Sequence, residues 1–172
     1  MIILCHPTAP DWSPDGNLLV FTFGMTNLES RILDTRSGKI SLVPDSKGTI
    51  GAWFATQDTL IATCLDQSKF MLFDFRTGKW TDLVTNADKF ANWVMSPDGN
   101  YFFFQTAGND PKIFRMRMKG RAVEEVANLK GFRPVEDPYL GNSQLNVTPD
   151  NSPVLTRDIG TQEVYALTVK WP

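Results

Sequence analysis

The feature that most constrains the fold is a recurring tetrapeptide. Ser13-Pro14-Asp15-Gly16 returns as Ser96-Pro97-Asp98-Gly99 and, in altered form, as Thr148-Pro149-Asp150-Asn151. Proline presets the second position of a tight turn, the Ser or Asp oxygen accepts from nearby backbone N–H groups, and glycine tolerates positive φ. The first copy precedes an apolar run, residues 18–23, that is rich in β-branched and aromatic side chains. The tetrapeptide therefore predicts a turn that joins two strands.

A second recurring segment marks a hairpin later in each repeat. Residues 34–39 (Asp-Thr-Arg-Ser-Gly-Lys) are matched by residues 74–79 (Asp-Phe-Arg-Thr-Gly-Lys) and, more weakly, by residues 118–121. Glycine is typical of the strained position in such turns. One more short strand follows each time, so each repeat is predicted to contain four strands. The turn residues identified in this way are Pro14, Asp15, Gly16, Asp34, Gly38, Asp74, Gly78, Pro97, Asp98 and Gly99.

The spacing of the repeats predicts the fold class. They begin at Ser13, at Ala55 in a degraded copy of the turn, at Ser96 and at Thr148, which gives intervals of 42, 41 and 52 residues. A four-stranded unit of roughly 40–45 residues is the period of propeller blades rather than of helical or leucine-rich solenoids. We therefore expect one all-β domain, a β-propeller segment with about four four-stranded blades at approximately 8–43, 50–84, 90–126 and 145–172.

The two ends of the chain are predicted to be incomplete blades. Residues 1–5 contain a short apolar run that either closes the ring by completing the final blade or is the remaining strand of another blade. The final unit has only three recognisable strands, so it leaves an open edge. We expect this edge to pair with the N-terminal strand or to support self-association with another chain.

Composition and charge limit the function classes. The 172 residues carry a formal net charge of −2, which provides no global attraction to nucleic acid or anionic lipid. No run approaches the ~18 apolar residues of a membrane span, and no signal peptide is recognisable. The sequence is compatible with a cytoplasmic or a periplasmic location. Cys5 and Cys64 are too few for a disulfide scaffold and are interpreted as small hydrophobic residues.

The sequence offers little material for catalysis or metal binding. His6 is the single histidine, so neither a Ser/His/Asp triad nor a multi-histidine metal site can be argued. The aspartates of the turns lack the dense alternation of an oxygen-ligand calcium loop, and turn capping explains them better. We therefore predict no catalytic residue, no cofactor and no metal.

Candidate binding residues lie in a long loop and a basic strand. The final interval implies an insertion of about eleven residues around 133–144, and long loops on rigid scaffolds often carry binding function. Alternatively, this insertion is a solvent-exposed loop without a binding role. Arg115, Arg117, Lys119 and Arg121 alternate and so would share one face, either as a site for an acidic ligand or as a solvated face. The candidate ligand or partner residues are Arg133, Glu136, Asp137, Tyr139, Arg115 and Arg117.

Three tryptophans recur at nearly the repeat period. Trp12, Trp53 and Trp93 could form an aromatic ring around a central channel, or they could be equivalent core positions. We prefer core packing, because large aromatic side chains dominate the surface buried between blades.

The motifs together resemble a known family. Trp12 followed by Ser-Pro-Asp-Gly, an apolar strand and an Asp-x-x-Ser/Thr-Gly turn is similar to the TolB-like, WD40-like propeller repeat, and the resemblance covers essentially the whole chain. It implies that these blades are the C-terminal part of a larger ring of six to eight blades. A compact four-bladed ring is the alternative.

A narrower resemblance concerns function. Residues 152–167, with residues 70–75 and 129–133, are similar to the closing portion of bacterial regulators in which a winged-helix DNA-binding domain precedes a TolB-like propeller. This implies a non-catalytic binding or sensory module that itself contacts no nucleic acid. The alternative is a propeller domain accessory to a serine peptidase or a propeller-type polysaccharide lyase. Such lyases require clustered histidines and such peptidases an attached α/β-hydrolase domain, and we recognise neither here.

Overall fold

The computed structural model describes residues 10–24, 27–86, 88–135 and 144–161. This part of the chain forms β-strands joined by turns and contains no helix. The strands are β1 (Asp11–Trp12), β2 (Leu18–Phe23), β3 (Glu29–Asp34), β4 (Ile40–Leu42), β5 (Thr49–Thr56), β6 (Thr59–Cys64), β7 (Lys69–Asp74), β8 (Lys79–Thr85), β9 (Phe90–Met95), β10 (Tyr101–Thr106), β11 (Lys112–Arg117), β12 (Val123–Asn128), β13 (Leu145–Val147) and β14 (Pro153–Leu155).

The strands form successive antiparallel sheets, which we call blades. Blade 1 contains β1 to β4, blade 2 contains β5 to β8 and blade 3 contains β9 to β12, with strands adjacent in chain order; blade 4 contains β13 and β14. The predicted all-β class with four-stranded blades is confirmed. The predicted N-terminal strand within residues 1–5 and a third strand of blade 4 at residues 164–167 lie outside the described residues.

Each tetrapeptide turn is held by its own serine and aspartate. In blade 1 the Ser13 hydroxyl donates to Asp15 Oδ1 at 2.6 Å and accepts from the Leu18 N–H at 2.9 Å. Asp15 Oδ1 also accepts from the Asn17 N–H at 3.0 Å. Gly16 has φ +72°, a conformation that costs an L-residue about 1–2 kcal/mol and glycine nothing comparable. Most of the hydrogen bonds that hold the turn therefore come from its own residues, and the Asp15 N–H donates to Gln57 Oε1 of blade 2 at 3.3 Å.

Similar hydrogen bonds recur at Ser96 and Thr148, whereas the degraded copy at Ala55 is a two-residue turn between β5 and β6. Ser96 donates to Asp98 at 2.6 Å and accepts from the Tyr101 N–H at 2.9 Å. In blade 4 the Thr148 hydroxyl donates to Asp150 and accepts from the Ser152 N–H. The repeat detected in the sequence is thus a repeat of hydrogen bonds.

The hydrophobic core lies between the blades rather than within one. Val20 and Ile32 of blade 1 pack with Phe54, Leu60 and Phe73 of blade 2. Blades 2 and 3 meet through an aromatic cluster, and blades 3 and 4 meet through a smaller cluster around one phenylalanine. The members of the aromatic cluster include Ile61, Phe70, Phe90, Phe102, Phe104 and Met116, and those of the smaller one are Phe103, Ile113, Leu129 and Leu145. Full burial of one such side chain stabilises by roughly 1.5–3 kcal/mol, so contact between blades dominates the stability.

The first strand of each blade lies on the side where the blades converge. β1 contacts β5, and β9 contacts β13. The fourth strands β4 and β12 are largely exposed on the opposite side. The first strands therefore form the inner wall of the arrangement and the fourth strands its circumference, as in a propeller.

The insertion before β13 begins with a paired segment. Val135 N donates to Thr156 O at 3.1 Å, and Asp158 N donates to Arg133 O at 2.8 Å. Thr148 N donates to Ser152 O at 2.9 Å, and in an extended strand residues 152, 156 and 158 direct their backbone groups to the same side. Residues 133–135 and β13 therefore pair with the same side of one strand. The insertion interrupts the first strand of blade 4 instead of linking two blades.

Two sequence expectations need correction. The strand predicted to carry four basic residues ends at Arg117, so Lys119 lies in the turn and Arg121, with φ +55°, follows it. The strand ends at Arg117 because a hairpin turn follows it, in which Gly120 has φ +85°. The core position expected for Trp12 is also wrong, since this side chain is 55% exposed. Trp53 and Trp93 do pack against the core.

Candidate functional site

A cavity of about 470 Å³ opens on the inner wall. It is formed by the first strands of three consecutive blades, so no single blade could build it. Most of its lining is apolar, and Asp11 contributes a carboxylate. The residues that line it are Pro10, Asp11, Gly51, Ala52, Trp53, Phe54, Trp93, Val94 and Met95.

Two tryptophans form the aromatic part of the wall. Trp53 of β5 stacks on Trp93 of β9 with ring centroids 5.3 Å apart and an interplanar angle of 15°. Phe70 meets Trp93 edge-on with centroids 5.2 Å apart. These contacts hold both indoles in fixed positions, so this part of the wall is preorganised.

Gly51 makes this stacking possible. Its φ is +59°, and the regular pairing of β5 with β6 is interrupted between Ile50 and Trp53. A Cβ atom at Gly51 would lie 3.0 Å from Cζ2 of Trp93. The glycine therefore provides both the backbone irregularity and the space that the Trp93 ring occupies.

The polar side chain of the cavity is Asp11. Asp11 Oδ2 accepts from the Phe54 N–H at 2.8 Å, which ties blade 1 to blade 2. Burial raises the pKa of Asp11, although hydrogen bonds from the Phe54 and Trp12 N–H groups oppose this shift. The wall thus contains a carboxylate whose ionisation is disfavoured by burial. Nε1 of Trp53 is buried behind the wall and has no hydrogen-bond partner among the described residues.

The structure places Arg115 and Arg117 at a different location, on the flank of blade 3. Their guanidinium groups lie 4.8 and 5.7 Å from the ring centroid of Tyr101. Arg115 also pairs with Glu124 of the outer strand at 2.6 Å. The charge of Arg115 is therefore partly neutralised by Glu124, whereas Arg117 is exposed.

Arg133 lies in the segment that begins the insertion. Its guanidinium donates to Asp158 at 2.7 Å, next to the backbone pairing described above. Glu136, Asp137 and Tyr139 lie outside the described residues. The binding role of all six candidate residues therefore stays a prediction.

The aspartates of the turns accept hydrogen bonds from backbone N–H groups. The hydroxyl of Ser13 and the N–H groups of Asn17 lower the pKa of Asp15 to about 2. The pKa of Asp98 is lowered further, first by Ser96 and also by Asn151 of blade 4, whose amide lies 3.1 Å away. Asp34 and Asp74 accept from the N–H groups of Arg36 and Arg76 in the second turn. Gly38 and Gly78 occupy the positive-φ positions of these turns, and Pro14, Pro97 and Gly99 complete the tetrapeptides.

Sequence reasoning missed the cavity because its residues are separated in the chain. Asp11, Gly51 and Met95 carry no common motif, and they meet only when three blades pack. The recurrence of Trp12, Trp53 and Trp93 was the available signal, and two of these three tryptophans do line the wall.

Two searches of the described residues were negative. They contain no cluster of three or more His, Cys, Asp or Glu side chains arranged to hold a metal ion. Nor do they include a helix with the length and hydropathy needed to cross a membrane.

Comparison with known proteins identifies the fold. No protein-family model matches the chain, and no curated protein matches it. Among solved structures, TolB from Acinetobacter baumannii is 17% identical with a TM-score of 0.67 over 91% of this chain and 39% of its own. A TolB-like protein from Agrobacterium tumefaciens is 16% identical with a TM-score of 0.64 over 75% of this chain and 52% of its own. The chain thus has a TolB-like β-propeller fold and spans 39% and 52% of these two proteins.

A third similar structure shows that the fold leaves the function open. Oligogalacturonate lyase from Vibrio parahaemolyticus is 12% identical with a TM-score of 0.56 over 68% of this chain and 38% of its own. Because one fold serves different functions, the function of this chain has to be argued from its own site.

Proposed function

We propose that the chain is a non-catalytic binding module of a propeller protein and that it serves as the sensory part of a bacterial transcriptional regulator. The observation that supports the binding role is the cavity on the inner wall. Its volume of about 470 Å³ falls within the range of roughly 300–1,000 Å³ typical of small-molecule sites. Its lining is mostly apolar with a few polar groups, which is also typical of such sites.

The polar groups indicate the chemistry of the ligand. Burial makes ionisation of Asp11 unfavourable, so an ammonium or N–H donor on the ligand would offset that cost. We therefore expect a compact ligand with an amine or amide N–H group and an apolar body.

A pair of matched probes tests the ligand chemistry. Phenethylamine and phenylacetate share a phenyl ring and differ in charge, and binding can be followed by intrinsic tryptophan fluorescence. Phenethylamine should give a saturable change and phenylacetate none, because Asp11 repels a carboxylate. Asp11→Asn keeps an acceptor for the Phe54 N–H but removes the charge, and a lost charged hydrogen bond of about 1.5–3 kcal/mol reduces affinity roughly ten- to a hundredfold.

The control is Asp45→Asn, since Asp45 is exposed and does not line the cavity. This variant should bind phenethylamine like the wild type. Equal binding of both probes, or an affinity unchanged by Asp11→Asn, would show that the cavity is not the ligand site. Release of product from peptides or oligogalacturonate by the purified chain would contradict the non-catalytic role.

The regulator context is supported by the sequence resemblance of residues 152–167, 70–75 and 129–133. Its test is to read the coding sequence upstream of the Met1 codon in frame. We expect further blades and a winged-helix domain there. An α/β-hydrolase or lyase domain would instead favour a propeller accessory to an enzyme.

A further inference from the structure

The tetrapeptide turns contain the two Asp-Gly steps of the chain, Asp15-Gly16 and Asp98-Gly99. Asp-Gly is the aspartyl step most open to isomerisation, because glycine has no side chain to hinder the approach of its nitrogen to the carboxyl group. Both aspartates are exposed, so water reaches them. The turns that define the repeat are therefore also the points where the chain is chemically most vulnerable.

The reaction sets two requirements on the turn. The glycine nitrogen attacks the side-chain carboxyl carbon of the aspartate, a C–N bond forms, and the nitrogen proton leaves with the carboxyl hydroxyl as one molecule of water. The product is a five-membered succinimide, and addition of water to either of its carbonyl carbons opens the ring to aspartate or isoaspartate. The nitrogen must therefore be free to lose its proton, and the carboxyl must be free to turn and to become protonated.

The glycine nitrogens are held by the turns. Gly16 N donates to Ser13 O at 2.8 Å, and Gly99 N donates to Ser96 O at 2.9 Å. Each of these hydrogen bonds closes a turn from its first to its fourth residue. Attack by the nitrogen would break the bond and open the turn.

Both carboxylate oxygens of Asp15 are also held. Oδ1 accepts from the Ser13 hydroxyl at 2.6 Å and from the Asn17 N–H at 3.0 Å, and Oδ2 accepts from Asn17 Nδ2 at 2.6 Å. Ser13 is only 3% exposed, so water competes little for its hydroxyl. Donors of this kind favour the ionised carboxylate, as the lowered pKa of Asp15 indicates, and an ionised carboxylate has no hydroxyl to lose.

The carboxylate of Asp98 is held partly by a different blade. Oδ1 accepts from the Ser96 hydroxyl at 2.6 Å and from the Asn100 N–H at 3.0 Å, which repeats the arrangement of blade 1. Oδ2 accepts from Nδ2 of Asn151 at 3.1 Å, and this residue lies 53 positions further along the chain in the turn of blade 4. The blade 3 step therefore depends on tertiary packing as well as on its own turn.

We propose that the hydrogen bonds of the tetrapeptide turns keep both Asp-Gly steps from isomerising, and that Asp98-Gly99 becomes a modification site when blade 4 separates from blade 3. Isoaspartate adds one carbon to the main chain, so it would disturb the turn that sets the pairing of Met95 with Phe102. Modification at this step would thus damage the first two strands of blade 3.

Prolonged incubation of the purified chain at neutral pH tests the proposal. After digestion, liquid chromatography with mass spectrometry separates peptides that contain isoaspartate from those that contain aspartate and gives a rate for each step. Free peptides of residues 10–20 and 93–103 provide the rates without the fold. Both steps should react more slowly in the folded chain by about tenfold or more, since each hydrogen bond to a charged group that must break corresponds to roughly this factor.

Serine variants test the local hydrogen bonds, and each step serves as the control for the other. Ser13→Ala should speed isomerisation at Asp15-Gly16 by about tenfold and leave Asp98-Gly99 unchanged, and Ser96→Ala should do the reverse. Ser13→Thr should react like the wild type, because Thr148 donates to Asp150 in the same way in blade 4. Asn17→Ala removes the donor to Oδ2 without changing a buried position, so it should also speed only the blade 1 step.

Asn151→Gly tests the part that blade 4 contributes. Residue 151 has φ +64°, which glycine adopts readily, so the variant keeps the turn and removes only the amide. Isomerisation at Asp98-Gly99 should become faster, while Asp15-Gly16 keeps the wild-type rate. The variant also creates an Asp-Gly step at residues 150–151, whose rate is read from a separate peptide.

Three outcomes would overturn the proposal. Equal rates in the folded chain and in the free peptides would show that the turns give no protection. Acceleration of both steps by Ser13→Ala or by Asn17→Ala would show that unfolding limits the reaction instead of the local hydrogen bonds. An unchanged rate at Asp98-Gly99 in Asn151→Gly would show that blade 4 does not protect this step.

Discussion

At the scale of the residue, Gly51 decides the shape of the cavity wall. Its positive φ interrupts β5, and its missing side chain leaves the space where the Trp93 ring stacks on Trp53. The glycines of the hairpin turns also have positive φ, but a Cβ atom at Gly78 would meet nothing within 4 Å. Glycine is therefore required at position 78 by the local backbone conformation alone, and at position 51 also by tertiary packing.

Gly51→Ala and Gly78→Ala separate these two roles. Both variants place an L-residue at a φ near +60°, which costs about 1–2 kcal/mol. Only Gly51→Ala also forces a Cβ atom against Trp93, and overpacking of a core costs about 1–3 kcal/mol more. The free energy of unfolding in urea should fall further for Gly51→Ala than for Gly78→Ala. Equal losses would mean that the Trp93 ring moves aside freely.

Asp15 gives the chain a predictable response to acid. Its pKa in the folded protein is about 2, below the usual 3.8, because the Ser13 hydroxyl and Asn17 donate to the carboxylate. A lowered pKa means that ionised Asp15 stabilises the fold above its unfolded pKa and that this contribution is lost as the pH falls from about 4 to about 2. The melting temperature of the wild type should drop over this range.

Asp15→Asn is the matched variant, since it keeps an acceptor oxygen but cannot ionise. It should melt lower than the wild type at pH 7 and should lose less stability between pH 4 and pH 2. Asp98 titrates in the same direction and remains in the variant, so part of the acid response should persist. A wild type and variant with parallel pH profiles would show that Asp15 contributes nothing through its charge.

At the scale of the element, the first strand of blade 4 keeps its pairing on both sides of the insertion that interrupts it. Residues 133–135 and β13 pair with the same side of one strand, so both flanks of the insertion are anchored. Arg133 adds an exposed ion pair with Asp158, which contributes little to stability. The anchoring of the flanks therefore lies in the backbone.

Replacement of residues 136–143 by a four-residue Gly/Ser linker tests this division. Because both flanking pairs remain, the β-type circular dichroism should be unchanged and the melting temperature should shift by only a few degrees. If the insertion carries a partner surface, as the sequence predicts, capture of that partner should be lost. Substitution of residues 133–135 by glycine is the comparison, and it should lower the melting temperature more, because it weakens a segment paired with the sheet.

At the scale of the whole molecule, stability and binding depend on contacts between blades. The three core clusters each join two blades, and the cavity is lined by the first strands of three. A change that separates the blades would therefore remove the core and the proposed binding site together.

The local chemistry of the sequence determined the strands and the turns. Ser13, Asp15 and Gly16 specify a turn from within five residues, and their return in blade 3 revealed the period and thus the blade. These features could be predicted because the residues that interact are neighbours in the chain.

Only the tertiary structure decided where distant residues meet. It placed Asp11 against Phe54, stacked Trp53 on Trp93 and left Trp12 exposed, although all three tryptophans recur with the repeat. It also ended the basic strand at Arg117 and paired Arg115 with Glu124. The physical reason is that burial between blades depends on which blade lies next to which, and a repeat makes every blade look alike in sequence whether or not a neighbour covers it.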